Sequence, residues 1–244
     1  MIRLNMIVEG QTEETFVRDI LAEHLAAFQV YPSAQMVETG RKRILGASEK
    51  GKRIFRGGMT TYQKARKDIC RWIRQEEGSR EVYVTTMFDL YALPEDFPGF
   101  AVAMAKATPQ LRVQALEEAL RKDIDFHRFM PYIQLHEFEA LVLADPERIA
   151  TEFPVSQVDR AIRDLVKLVQ TTPREEIDDG EQTAPSKRII REIPEYAGVK
   201  SSAGPLIVQA IGMTKIRAKC PHFDRWVSQL ERLSAQYGPE PAKS

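Results

Sequence analysis

Residues Ile2–Phe16 read IRLNMIVEGQTEETF. An apolar run closes on Val8-Glu9-Gly10, and an acidic helical turn, Thr12-Glu13-Glu14, follows at once. Strand, glycine turn and helix open an α/β unit, and open α/β sheets place their chemistry beyond the carboxyl ends of the strands. Glu9 leaves the strand at that end, and Glu13 stands one turn into the helix. If the turn folds back, both face one cation, and an oxygen-only pair suits Mg2+ or Mn2+. Taken alone, the stretch is better served by an exposed Glu9 and a Glu13 that complements the helix dipole.

The same arrangement recurs downstream. Residues 81–88, EVYVTTMF, are β-branched and aromatic, read as a strand, and lead to Asp89. Residues 129–135 read as another strand, followed by His136-Glu137-Phe138-Glu139 at the start of a helix over 137–144. Apolar spacing predicts helices over 12–27, 60–76 and 101–123, and a second strand within 29–38 broken at Pro32. Two prolines and a glycine make 90–99 a rigid loop. The order for 1–135 is therefore β-α-β-α-β-α-β. Successive strands of a parallel sheet end on one edge, so Glu9, Asp89, Glu137 and Glu139 converge there as candidate metal ligands. That threefold coincidence favours a metal site. His136 either joins the ligands or orients a carboxylate. Its spacing, H-E-x-E, lacks the H-E-x-x-H pattern of zincins.

The chain has 244 residues, of which 43% are hydrophobic, which is enough for a real core. Lys+Arg and Asp+Glu are both 35, so overall charge points to no partner. Locally the balance is broken. Between Arg41 and Lys67 stand ten basic residues and one acid, Glu49: Arg41, Lys42, Arg43, Lys50, Lys52, Arg53, Arg56, Lys64, Arg66 and Lys67. Glycines and the aromatic Phe55 and Tyr62 lie among them, which suits phosphate contact better than a merely solvated loop. Cys70 and Cys220 are far apart and fit a reducing cytoplasm. No apolar run reaches the ~20 residues of a membrane span, and the first residues lack the features of a signal peptide.

Beyond residue 145 the chain reads as helical: an amphipathic helix over 156–170, a polar loop over 171–185, a helix opened by Pro185-Ser186-Lys187-Arg188, a helical stretch over 204–218, and a last helix carrying Trp226, Leu230 and Leu233. Residues 236–244 read as a frayed tail. Lys187 approaches the acidic edge only if the preceding loop folds back. Cys220 and His222 are two zinc-ligand types without a second pair, so a packed turn is the better reading. The division is 1–145 as a metal-binding α/β domain and 146–244 as a helical extension on or beside it.

Taken together, Val8-Glu9-Gly10-x-Thr12-Glu13, Thr86–Gly99, His136–Leu141, Thr183–Arg188 and Cys220–Phe223 resemble domain-of-unknown-function family 4276 (DUF4276) over nearly the whole chain. That family in turn resembles TOPRIM domains, including those of OLD-type nucleases. The resemblance implies a TOPRIM-like, mostly parallel sheet flanked by helices. It matches Glu9 to the first acid of the pattern and Asp89 to the first of an Asp-x-Asp pair. It gives Glu13 the place of a second glutamate, and Glu137, Glu139 and Lys187 the places of further acids and a lysine. Tyr91 stands where the second Asp belongs.

The implied activity is Mg2+- or Mn2+-dependent phosphodiester hydrolysis of DNA or RNA. The expected catalytic set is Glu9, Glu13, Asp89, His136, Glu137, Glu139 and Lys187. Two cations about 3.5–4 Å apart would clamp the scissile phosphate, with His136 or Glu13 taking the proton of water and Lys187 neutralising charge. The resemblance also implies a phage-defence effector with a separate ABC- or AAA-type ATPase, since no G-x-x-x-x-G-K-[ST] motif occurs in the chain. Tyr91 supports the alternative, a non-catalytic nucleic-acid-binding or regulatory subunit with a degenerate site.

Overall fold

A computed structural model describes residues 1–41, 54–56, 59–76, 78–177 and 183–236. β1 (Ile2–Val8) is apolar at nearly every position because both its faces are covered. α1 (Gln11–Phe16) runs through one π-helical stretch, Val17–Leu21, into α2 (Ala22–Ala26). β2 (Val30–Met36), a hairpin of β3 (Glu38–Arg41) and β4 (Ile54–Arg56), and α3 (Tyr62–Gln75) follow. β5 (Val82–Asp89), α4 (Phe100–Met104), α5 (Pro109–Ile124), β6 (Phe129–Met130), β7 (Ile133–Gln134) and α6 (Glu139–Val142) complete the first part. The rest is helical: α7 (Val155–Thr171), α8 (Pro185–Glu192), α9 (Tyr196–Ile211), α10 (Met213–Lys219), α11 (Pro221–Glu231) and α12 (Leu233–Gln236).

The main sheet has the order β2-β1-β5-β6, with β7 also on β5, and every pairing in it is parallel. The fold is thus α/β with a mostly parallel sheet and a helical C-terminal region. Val8 lies opposite both Met36 and Met87, and Asp89 opposite Gln134. The carboxyl ends of β1, β2, β5 and β7 therefore share one edge. Alternating side chains divide the core. Ile2, Leu4, Met6 and Val8 face a layer that contains α1, α9 and α11, with Phe16, Ile207 and Phe223 buried there. Ile7, Val84 and Phe88 face α3 and α5 through Tyr62, Ile69 and Leu116. The helices after residue 145 share one continuous core with β1.

Trp226 fastens α11 to the sheet. Its indole stacks on Tyr132 at 4.2 Å and donates to Thr85 Oγ1 at 3.1 Å, so a large apolar surface is buried with its one donor satisfied.

Four expectations change, and one element is new. Pro32 does not break β2, because β2 pairs only with β1 and an edge strand tolerates a missing N–H. The β3–β4 hairpin was not foreseen. The helix expected over 101–123 is two, restarted by Thr108, whose Oγ1 accepts from the Leu111 N–H, and by Pro109 at the first turn. The strand expected over 129–135 is split by Pro131. There the Thr86 hydroxyl replaces the ladder, accepting from Tyr132 N at 2.9 Å and donating to Tyr132 O at 3.0 Å. The stretch 204–218 belongs to two helices, α9 and α10, parted at Gly212, whose φ of 82° is a left-handed value suited to glycine.

Candidate functional site

Glu9, Glu13, Asp89, Glu137 and Glu139 come together at the shared carboxyl edge. Each arrives for a local reason. Glu9 is the first residue after β1, and its Oε2 accepts from Asp89 N at 3.1 Å, which joins the ends of the two central strands. Glu9 also accepts from the backbone N–H of Met59. Glu13 lies in the first turn of α1 and accepts from Gly10 N at 2.8 Å, half of a capping box whose other half glycine cannot make. His136 follows β7 with φ 63°, a left-handed turn beyond which Glu137 and Glu139 enter the edge. Glu137 accepts from Ser186 N, at the start of α8, at 3.1 Å. Glu139 Oε1 accepts from the buried Tyr196 hydroxyl at 3.4 Å and lies 3.5 Å from Lys200 Nζ.

The electrostatics follow from crowding like charges away from water. Burial, then Glu9, pushes Glu13 up to about 7. Burial pushes Glu139 up to about 7 against the pull of Lys200. Asp89 is raised well above the usual range by burial and then by Glu13, Glu9, Glu139 and Glu137. Glu9 is raised by burial, although the amides of Asp89 and Met59 pull it back. Burial works against the Lys200 ammonium, but Glu139, Glu137, Asp89 and Glu13 outweigh it and its pKa rises. Asp89 Oδ1 is sealed from solvent and has no hydrogen-bond partner among the described residues.

An all-oxygen donor set with an unsatisfied buried carboxylate oxygen fits a hard divalent cation. Among the described residues no three His, Cys, Asp or Glu side chains already stand as a ligand set. Glu9, Asp89, Glu137 and Glu139 are the residues that would hold Mg2+ or Mn2+.

The other expected site residues lie elsewhere. His136 is fully buried, and its Nε2 bonds to the Glu175 carbonyl at 3.1 Å. Lys187 is exposed on α8, whereas its neighbour Ser186 reaches the edge. Lys42, Arg43, Lys50, Lys52 and Arg53 lie outside the described residues, as do the side chains of Arg41 and Arg56. On α3, Lys64 bonds to Thr60 Oγ1, Arg66 pairs with Asp123 at 2.7 Å, and Lys67 lines a groove with Arg74 and Ile73. Cys220 and His222 form a packed turn. Cys220 is buried and unbridged, and His222 Nε2 lies 3.0 Å from Ile133 O.

Lys200 and Tyr196 were missed. They stand one turn apart on α9, a helix that sequence reading began only at residue 204. The available signal was Gly204-Pro205, which marks a close helix contact. A Cβ at Gly204 would meet the Tyr196 hydroxyl at 3.0 Å and the Phe138 ring at 3.4 Å.

A family model described as Domain of unknown function (DUF4276) matches residues 8–231. The chain belongs to that family. The DUF4276 match contains every acid of the edge, together with Tyr196 and Lys200. No curated protein and no solved structure matches the chain. No helix among the described residues is long and apolar enough to cross a membrane.

Proposed function

We propose that this DUF4276 protein is a Mg2+- or Mn2+-dependent nuclease that hydrolyses phosphodiester bonds of DNA or RNA. The observation that carries this reading is the convergence of five carboxylates on one sheet edge around Asp89 Oδ1, a buried oxygen without a partner among the described residues. The bound cation would supply charge neutralisation and an activated water. The protein's part is to hold Glu9 and Asp89 fixed through the hydrogen bond that the Asp89 N–H donates to Glu9 Oε2 between the ends of β1 and β5. Glu13 keeps one oxygen on Gly10 N and offers the other to the proton of the attacking water. Lys200 takes the charge-neutralising part that the TOPRIM resemblance gave to Lys187, because Lys200 faces the carboxylates and Lys187 does not.

The basic segment holds the polyanion without reading sequence. It is rooted at this edge at both ends: Val37 N donates to Val8 O just before β3, and the Met59 amide returns to Glu9. The free cysteines support a reducing cytoplasm. The TOPRIM resemblance supports an effector that works beside a separate ABC- or AAA-type ATPase.

The test is cleavage of labelled DNA and RNA in Mg2+, Mn2+ or EDTA, for wild type beside Glu9→Gln. Cutting that needs the cation and disappears in the variant supports the nuclease. A second reading, a regulatory subunit, draws on Tyr91, which is exposed two residues beyond Asp89 and brings no carboxylate. Nucleic-acid binding without cutting, both alone and with the ATPase, would favour it.

A further inference from the structure

We infer that Lys200 is a built-in second cation of the acidic edge, so that the site takes one divalent metal ion and not two. The inference rests on the metal-dependent reading above and adds to it a stoichiometry and a reason.

The five carboxylates are not equally compensated. At one end, Glu139 Oε1 is shared between the Tyr196 hydroxyl at 3.4 Å and the Lys200 ammonium at 3.5 Å, both presented by α9. That oxygen already has a donor and a cation from its own chain. At the other end, among the described residues, Glu9 and Glu13 accept hydrogen bonds from backbone amides and Asp89 Oδ1 has no partner. One end therefore has the resident positive charge in contact, and the other feels it only through space. Tyr91 brings no further carboxylate to offset a second added ion.

A divalent ion bound at the Glu9–Asp89 end gains the uncompensated oxygens. A second ion at the Glu139 end must first displace an ammonium that it repels at contact distance. The backbone position of Lys200 is set by the packing of α9 on α1. Lys200 is one turn from Tyr196 and one turn from Gly204, on the face of α9 that meets α1, and Gly204 lies 3.6 Å, measured from its would-be Cβ, from the Thr12 methyl. Half of the Lys200 side chain remains in solvent, so its replacement is compatible with folding.

Mn2+ binding counted by the loss of its free electron paramagnetic resonance signal tests this without any substrate. Wild type and Lys200→Arg are expected to bind one ion per chain, and Lys200→Gln and Lys200→Met two. Two ions in wild type, or one ion in both neutral variants, would overturn the inference. The cleavage assay separates the two ideas: wild type that binds two ions and cuts defeats only the single-ion stoichiometry. Wild type that binds none and cuts nothing defeats both.

Discussion

Two buried carboxylate sites, the single Glu175 and the cluster at the sheet edge, are built in opposite ways. At the first, Glu175 accepts from His222 N at 2.9 and 3.1 Å and from Phe223 N at 3.0 Å, closing the amino end of α11. Burial raises its pKa, and those two amides pull it back. At the second, Glu13, Asp89 and Glu139 are raised by burial and by the acids around them, Glu9 and Glu137 included. Glu175 is surrounded by donors it needs, and they need it. The edge is surrounded by acids that repel it. A buried carboxylate is therefore not by itself a sign of chemistry. The sign is a shortage of donors around several of them.

The sharpest way to break this contrast is Glu175→Ala. It leaves two buried N–H groups without partners, and a loss of about 2–4 kcal/mol is expected from urea unfolding. A loss below about 1 kcal/mol would mean that water reaches the amino end of α11.

The edge should respond with the opposite sign. In EDTA, Glu13 and Glu139 have folded pKa values of about 7 against 4.5 ordinarily. Between those values the folded chain binds more protons than the unfolded chain. Stability is then fully present below about pH 4.5 and falls as the pH rises towards 7 and just beyond, by about 3 kcal/mol for either group taken singly. Glu13→Gln keeps an acceptor for Gly10 N and removes a charge. It should stabilise the protein at pH 8 by about 2 kcal/mol, leave it nearly unchanged at pH 4.5, and flatten the pH slope measured by thermal unfolding. Equal slopes in both proteins would mean that Glu13 is not part of the repulsive set.

The smallest effect belongs to Gly204→Ala. Alanine favours the helix by about 1 kcal/mol, while its methyl pushes on the Tyr196 hydroxyl. The two nearly offset, so the unfolding midpoint should move by less than the equivalent of about 1 kcal/mol. A larger loss would mean that Tyr196 has no room to yield and is held rigidly on Glu139.

What could be read in the sequence was the edge. Strand ends are marked by where an apolar run meets a carboxylate, and Val8-Glu9, Phe88-Asp89 and Leu135 to Glu139 all carry that mark. The partners of those acids left no such mark. Lys200 is one lysine among many, and its position depends on how α9 crosses α1, which no local pattern encodes. Ser186 and Met59 act through backbone N–H groups, which are the same in every residue but proline. The breaks at Pro131 and Thr108-Pro109 were written locally and were passed over because the apolar spacing continued across them. Pro32 erred in the other direction: it looked like a break, and only the sheet order reveals that it sits on an edge.

The two roots of the basic segment have a consequence for how such a protein diversifies. Val37 is held by Val8 and Met59 by Glu9, so both ends of the intervening stretch are pinned to the same strand end. The β3–β4 hairpin between the pins is a two-stranded sheet of its own, so a change within it leaves the ladders of the main sheet untouched. The acids of the edge can stay constant while the hairpin beside them is rewritten.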